Sequence, residues 1–294
     1  MLVSESCIWL FVACCTKIET NIVLLNYSFI NFFVKFFIYI IYLLNNIHAQ
    51  IALPSFHGAQ KPHSNTSSAP IKVAVVSDVS NSGSGGRSAT VLQLNDDTYY
   101  DFEATGLDVD EVDSALELAN YDVVIIGGTG NGSNGGYTTT FYSALNTWRK
   151  TGKGILSTAW FVFESRSLTS NVDVQESTPY VENGRYGAMT KAQGTVTILD
   201  SEHNVTDGIS DFSITSNYLE FPGSYSLDTG AERLGSTSSS TNACSICVHD
   251  HGSNGKTGYL GGQYMSNPNS YNTSNMRDGT EDKLLEQMVN WLAN

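Results

Sequence analysis

Cysteine is scarce in this sequence and poorly placed to form a scaffold. Of five in 294 residues, Cys7, Cys14 and Cys15 lie near the start, and Cys244 and Cys247 are the only pair in the body. That count excludes a disulfide-dense fold, so stability has to come from an ordinary apolar core. Basic residues are also few: 15 Lys and Arg against 29 Asp and Glu give a formal charge of −14. The first 49 residues hold two of each sign, so the acidic excess belongs to the remainder. Such a surface repels nucleic acid and anionic lipid, and no nucleic-acid partner is expected. Other signatures are missing as well. Neither nucleotide-binding glycine fingerprint occurs, the Gly-x-Ser-x-Gly pattern of a serine elbow is absent, and no twelve-residue calcium loop is present.

The chain nevertheless has clear divisions. Ile22 to Ile47 is strongly apolar, broken by asparagines, Tyr27, Ser28 and the single charge Lys35. With Lys35 as basic flank, Phe36–Leu44 as hydrophobic run and Ile47-His-Ala49 as processing site, residues 1–49 read as a secretory signal. The run after Lys35 is shorter than the roughly 20 apolar residues that span a bilayer. If Lys35 is tolerated inside a longer helix, the same stretch reads as an N-terminal membrane anchor. The residues before Asn21 look like sequence upstream of a more usual start. Either reading exports the body, so a secreted or cell-surface protein is expected, touching membrane only through such an anchor. Residues 50–70 carry Pro54, Pro62 and Pro70 among Ser, Thr, His and Asn, and read as a linker. One folded domain is expected over 71–294.

Within it, Ile71–Asp78, Asp122–Gly128 and Gly154–Trp160 begin as short apolar runs bounded by turn residues, the pattern of strands covered on both faces. Tyr99–Thr105 alternates as a further strand. Between the second and third apolar runs, Phe141, Ala144, Leu145 and Trp148 place four apolar side chains on one stripe of a helix over 137–151. Strand, helix and strand make a βαβ unit, whose ligand sites lie beyond the carboxyl ends of the strands. Helices are also expected at about 88–95, at 109–119, where Val112 and Leu116 share a face, and at 281–292, with Leu284, Leu285, Met288, Val289 and Leu292 as its stripe. Phe161–Gly187 reads as a long excursion over the site end. Short strands are expected at 194–199, 218–222, 243–249 and 257–262. The fold class is α/β, a flavodoxin-like three-layer sandwich with a mostly parallel sheet and added edge strands.

Several clusters carry candidate chemistry. The glycine-rich turn 79–86 followed by Arg87 offers backbone N–H groups to an anion, or is a plain rim loop. The run Asp108, Asp110, Glu111 and Asp113 opens a predicted helix, where carboxylates face the positive end of its dipole; a calcium site is the alternative. Cys244-Ser-Ile-Cys247-Val-His249-Asp-His251 is the densest set of ligand-type residues. On a strand Cys247, His249 and His251 share one face, so they could hold zinc or copper, or the two thiols could be joined or buried. No cofactor is expected beyond these zinc, copper or calcium candidates. Ser157 or Thr158 as nucleophile, with His203, His249 or His251 as base and Asp250 or Glu220 as orienter, is a weaker arrangement because its elbow motif is missing. Asn65, Asn131, Asn204 and Asn272 each open an N-glycosylation sequon.

The order of Asp122–Gly128, Gly154–Trp160, His203–Ile209, Tyr218–Phe221, Lys256–Gly261 and Asp282–Trp291 resembles the class I glutamine-amidotransferase-like superfamily. Within it, the likeness is to the trehalose-utilisation (ThuA-like) and related secreted members, and it covers about 71–294. In catalytic members the strand ending near Thr158 delivers a nucleophilic cysteine on a tight turn, where a histidine activates the thiolate. Here Ala159 aligns with that position, and no cysteine lies between Cys15 and Cys244. What the resemblance then implies is a fold with a pocket and no cysteine-dependent amide transfer. Trp160, Phe161, Phe163, Tyr180 and Tyr186 lie where a sugar ring would stack, with Phe161 and Phe163 equally suited to covering the sheet. The expected ligand is a carbohydrate or similar small polar molecule, held by Gly128, Thr129, Asn131, Trp160, Glu164 and Glu220. The resemblance also implies a sugar-active enzyme with Glu220 and His203 as acid and base; a structural domain of a surface assembly is a third reading.

Overall fold

The computed structural model describes residues 69–77, 84–96, 98–128, 136–164, 171–180, 187–191, 195–214, 218–222, 227–237, 244–266 and 279–294. All belong to the second of two units into which the chain divides, Asn65–Asn294. In chain order the elements are β1 (Ile71–Val76), α1 (Ser84–Leu94), β2 (Phe102–Leu107), β3 (Val123–Gly127), α2 (Thr139–Arg149) and β4 (Gly154–Thr158). The one-turn helices α3 (Phe161–Glu164) and α4 (Val172–Gln175) follow, then β5 (Gly187–Lys191), β6 (Thr195–Ile198), β7 (Phe212–Ser213) and β8 (Tyr218–Pro222). The last are β9 (Glu232–Thr237), β10 (Ile246–Asp250), β11 (Lys256–Leu260) and α5 (Thr280–Ala293).

Nine strands form a mixed sheet in the order β2-β1-β3-β4-β11-β10-β9-β6-β7. The first five run parallel, and from β11 outward each neighbour is antiparallel. β5 and β8 pair separately as an antiparallel ribbon. Successive side chains on a strand point to opposite faces. Val73, Val75, Val123, Ile125 and Leu156 therefore enter one core, and Ala74, Val76, Val124, Ile126 and Ile155 another. The first is closed by Leu94 of α1 and by Leu284, Leu285, Met288, Val289 and Leu292 of α5, as their spacing predicts. The second is closed by Phe141, Tyr142, Leu145 and Trp148 of α2. Burying five large side chains on α5 contributes on the order of 10 kcal/mol before entropic costs. Thr138 starts α2 by accepting the Phe141 N–H at 3.1 Å, the usual service of an N-cap hydroxyl.

The helix expected over 109–119 does not form; that segment holds two short 3₁₀ turns, Val109–Glu111 and Glu117–Asn120. Local side chains compete with the helix ladder. Glu111 Oε2 accepts the Asp108 N–H, and Glu117 Oε2 accepts both the N–H and the hydroxyl of Ser114. Leu116, placed on the buried face by periodicity, is 83% exposed as a result. The acidic run thus serves as a cap, and Asp108 also takes Arg87 at 2.6 Å. β9 and β5 lie outside the strands that alternation picks out.

Candidate functional site

The carboxyl ends of β3, β4 and β11 meet at one place. Gly128 N–H donates to Ala159 O at 3.2 Å, and Ala159 N–H donates to Gly262 O at 3.1 Å, so Ala159 still behaves as a strand residue. The chain then turns at Trp160, whose φ of 67° makes it the sole non-glycine residue with positive φ among those described. α3 begins at the next residue. A bulky side chain in this conformation costs about 1–2 kcal/mol and persists only where the surroundings impose it. The elbow expected at Ala159 thus lies one residue later, because β4 pairing extends through Ala159, which is fully buried. Trp160 is half-buried and meets Phe163 edge to face, with ring centroids 5.5 Å apart.

Beneath this turn sits Glu220, fully buried. Oε1 accepts the Phe163 N–H at 2.7 Å; Oε2 accepts the Tyr259 hydroxyl at 2.6 Å and the Val162 N–H at 3.4 Å. The Trp160 backbone N–H also bonds to this carboxyl. The amides opening α3, which would otherwise face an anion, are therefore taken by the protein's own side chain. Burial pushes the Glu220 carboxyl up to about 7, opposed by those four donors. Burial, with the Glu220 charge next, raises the Tyr259 phenol well above its ordinary range. Tyr259 meets Tyr180 edge to face, and the Tyr180 hydroxyl lies 3.2 Å from Cys247 Sγ.

The chain leaving β11 crosses the strand ends in close contact. A Cβ on Gly261 would strike Glu220 O, one on Gly127 would strike Thr158 Oγ1, and one on Gly86 would strike the Met265 carbonyl. Ser266 Oγ reaches Gly128 O at 3.4 Å, and the Thr90 hydroxyl donates to Tyr264 O at 3.0 Å. The segment 261–266 is buried throughout. Gly86, Gly127 and Gly261 thus serve close packing, and residues 79–83 of the glycine-rich turn lie outside the description. Arg87 itself is engaged by Ser77 O and Asp108, which removes the charge offered to an anion at 79–86.

Of the expected ligand residues, Gly128, Trp160 and Glu220 come together at the elbow, with Glu220 under it rather than in an opening. Thr129, Asn131, Tyr186 and the side chain of Glu164 lie outside the description, as do the sequons at Asn65, Asn131 and Asn272. Phe161 and Tyr180 are buried, so they cover the sheet. Ser157 and Thr158 are buried too, with hydroxyls donating to Gly258 O and Ile126 O, which leaves neither free as a nucleophile. His203 does not meet Glu220. Its ring lies tilted against Trp291 near the start of β11, where Lys256 bonds the Trp291 carbonyl, whereas Glu220 N–H bonds Gly261 past the end of that strand. The two thus lie toward opposite ends of β11. Burial first of all lowers the His203 pKa.

The metal candidate changes in the same way. Cys247 is joined to Cys244 in a disulfide, so it offers no thiolate. His249 and His251 do share a face, with ring centroids 3.7 Å apart, and His249 Nδ1 lies 3.6 Å from Asp228 Oδ2. Burial and the nearby Arg149 charge bring His251 down to about 4, which leaves it neutral at physiological pH, and its Nε2 is 3.1 Å from Thr257 Oγ1. Among the described residues no three His, Cys, Asp or Glu side chains converge as metal ligands. No described helix is long and apolar enough to cross a membrane. Tyr259 and the 261–266 segment are the site-forming residues that sequence reasoning missed; the Gly261-Gly262 pair directly after an apolar strand was the available signal.

No family model and no curated protein matches the chain. Among solved structures it is similar to a ThuA-like protein from Parabacteroides merdae. The two share 10% identity, the match covers 77% of this chain and 91% of the other, and the TM-score is 0.53. A ThuA-like protein from Bacteroides uniformis matches at 15% identity, with 78% and 94% covered and a TM-score of 0.49. At such identities the likeness is one of fold, and the fold is a mixed α/β arrangement similar to that of a ThuA-like protein.

Proposed function

We propose that this chain is an exported, amidotransferase-like domain of flavodoxin-like three-layer architecture that binds a carbohydrate or similar polar ligand without turning it over. The observation that carries this reading is the elbow. Its left-handed residue is Trp160, and the amide cradle behind it is filled by Glu220. A nucleophile elbow needs a reactive atom at the turn and free donors beside it for an oxyanion. Here an aromatic ring takes the first place and a buried carboxyl the second. An indole beside Phe163 at the carboxyl ends of parallel strands suits stacking against a sugar ring. The Cys244–Cys247 disulfide supports an oxidising compartment and hence export.

The test is calorimetric titration of the protein with a panel of mono- and disaccharides, repeated on Trp160→Ala. Saturable binding that this substitution abolishes is the expected result. Absence of saturable binding, or binding of which no component is lost in the variant, would overturn the reading. A second reading is a sugar-active enzyme with Glu220 as its acid: burial beneath the elbow pushes this carboxyl up toward neutrality, and the turn above it would have to open for a substrate to reach it. Turnover of a keto-sugar or glycoside that disappears on Glu220→Gln would establish it in place of the first.

A further inference from the structure

A polar cleft of about 370 Å³ lies far from the elbow. Lys256, in its wall, opens β11 and pairs with Gly154 at the start of β4, whereas Trp160 follows the other end of β4. At about 3.3 Å per residue the two places are roughly 15 Å apart along the strands. Trp291 and Tyr100 form aromatic walls; Asn204, Gln287, Asn290 and Asn294 contribute four primary amides; Asp207 and Lys256 contribute one charge of each sign.

We propose that this cleft is a second, independent binding site for a neutral saccharide. Its size suits a small organic ligand. The opposed charges of Asp207 and Lys256 cancel, and the Lys256 ammonium is already committed, donating to Trp291 O at 3.1 Å and lying 4.7 Å from the indole centroid. An anion therefore finds no uncommitted cation, while the Asp207 carboxylate, with no ion pair among the described residues, is left to accept from hydroxyls. A primary amide presents a donor and an acceptor side by side, which matches vicinal hydroxyls that both donate and accept. Trp291 is held by Lys256 and by His203, whose ring centroid lies 5.5 Å away, so the aromatic wall is fixed before a ligand arrives.

Gln287 points to a ligand most directly. It is only 5% exposed; its Nε2 donates to Asp207 O at 3.0 Å, and its Oε1 has no partner among the described residues. A buried acceptor left unpaired is costly, and because Oε1 is itself shielded, a turn of the Gln287 amide toward the cleft would let a sugar hydroxyl supply the missing bond. The proposal does not depend on the elbow as a binding site.

Protein produced in a bacterial host, which leaves the Asn204 sequon unmodified, would be titrated by calorimetry with glucose, galactose, maltose and cellobiose. The same titrations would be run on Asn290→Ala, Gln287→Met and Trp160→Ala. Beside the event that Trp160→Ala abolishes, the expected result is a second, separable saturable event with at least one sugar, weakened about tenfold or more by either cleft substitution and retained in Trp160→Ala. Asn290 is half-buried and its side chain bonds only Asn294 among the described contacts, so Asn290→Ala keeps the test open if Gln287→Met fails to fold. If the sole binding event is one lost with Trp160→Ala and retained in both cleft variants, this proposal is overturned while the elbow is supported. No binding of any of the four sugars would overturn it as well.

Discussion

Substituting Glu220 with glutamine separates a buried acid that holds its proton from one that does not. Burial lifts this carboxyl to about 7, while the donors around it pull the other way. In the unfolded chain the group titrates near its ordinary value of about 4.3. Between those values the folded state keeps a proton that the unfolded chain has released. Stability from this group is therefore full below the unfolded pKa and lost as pH rises through about 7. At about 1.4 kcal/mol per pH unit over that interval, the loss is about 4 kcal/mol. Glutamine matches the neutral carboxyl in shape and keeps an acceptor for the Phe163 N–H, but it turns an N–H toward the other donors. At pH 4 the variant should thus be less stable by about 1 kcal/mol, the worth of a hydrogen bond. With nothing to ionise, its own contribution is flat, so by pH 8 the order should reverse, with the variant ahead by about 3 kcal/mol. Urea unfolding of both proteins at pH 4 to 8 measures this. Glu286, raised to about 8 mainly by burial, loses stability in both proteins and cancels in the difference. A difference between the proteins that stays constant from pH 4 to pH 8 would refute the reasoning.

Two further outcomes test the packing. The Cys244–Cys247 bridge closes a loop of sequence separation three, so its entropic worth is small. Reductant should lower wild-type stability by about 2 kcal/mol and leave the Cys244→Ala/Cys247→Ala double variant unaffected, as followed by denaturation with and without dithiothreitol; an unchanged wild-type curve would contradict the linkage. Gly86→Ala would place a methyl against the backbone of Met265 and Ser266, which cannot swing aside, and should cost about 1–3 kcal/mol or more in chemical unfolding. Gly106→Ala, which meets only the Arg87 side chain at 3.3 Å, should cost clearly less.

The parallel centre of the fold is legible because β1, β3 and β4 are covered on both faces, which writes them as unbroken apolar runs. Helices α2 and α5 are legible from their stripes, although Tyr142 rather than Ala144 completes the buried face of α2. The segment after Asp108 misleads because Ser, Asp and Glu can bond their own backbone, a local competition that periodicity does not register. β9, written Glu-Arg-Leu-Gly-Ser-Thr, takes its place from β10 and β6 on either side rather than from its own apolar content. At the elbow, the turn is readable and the residue that bends is not, since pairing to Gly262 decides where β4 ends. Glu220 looks like an exposed acid in sequence because its partners are mostly backbone amides, which carry no letter. The cleft around Trp291 is invisible for a different reason: its walls come from four stretches, each of which reads as ordinary polar surface.

The place of β11 in the sheet has a consequence for how the chain is made. It sits between β4 and β10, and it pairs with β4 along five residues. When β4 leaves the ribosome, its partner on that side is still roughly a hundred residues away, about 5–20 s of synthesis. During that interval the β4 edge is an unsatisfied template, apolar and open to any other strand. The antiparallel wing cannot dock on the parallel half until Leu260 emerges, and α5, which covers both, is later still. Assembly of the two halves is thus the step at which a newborn chain is most exposed to pairing with a neighbour.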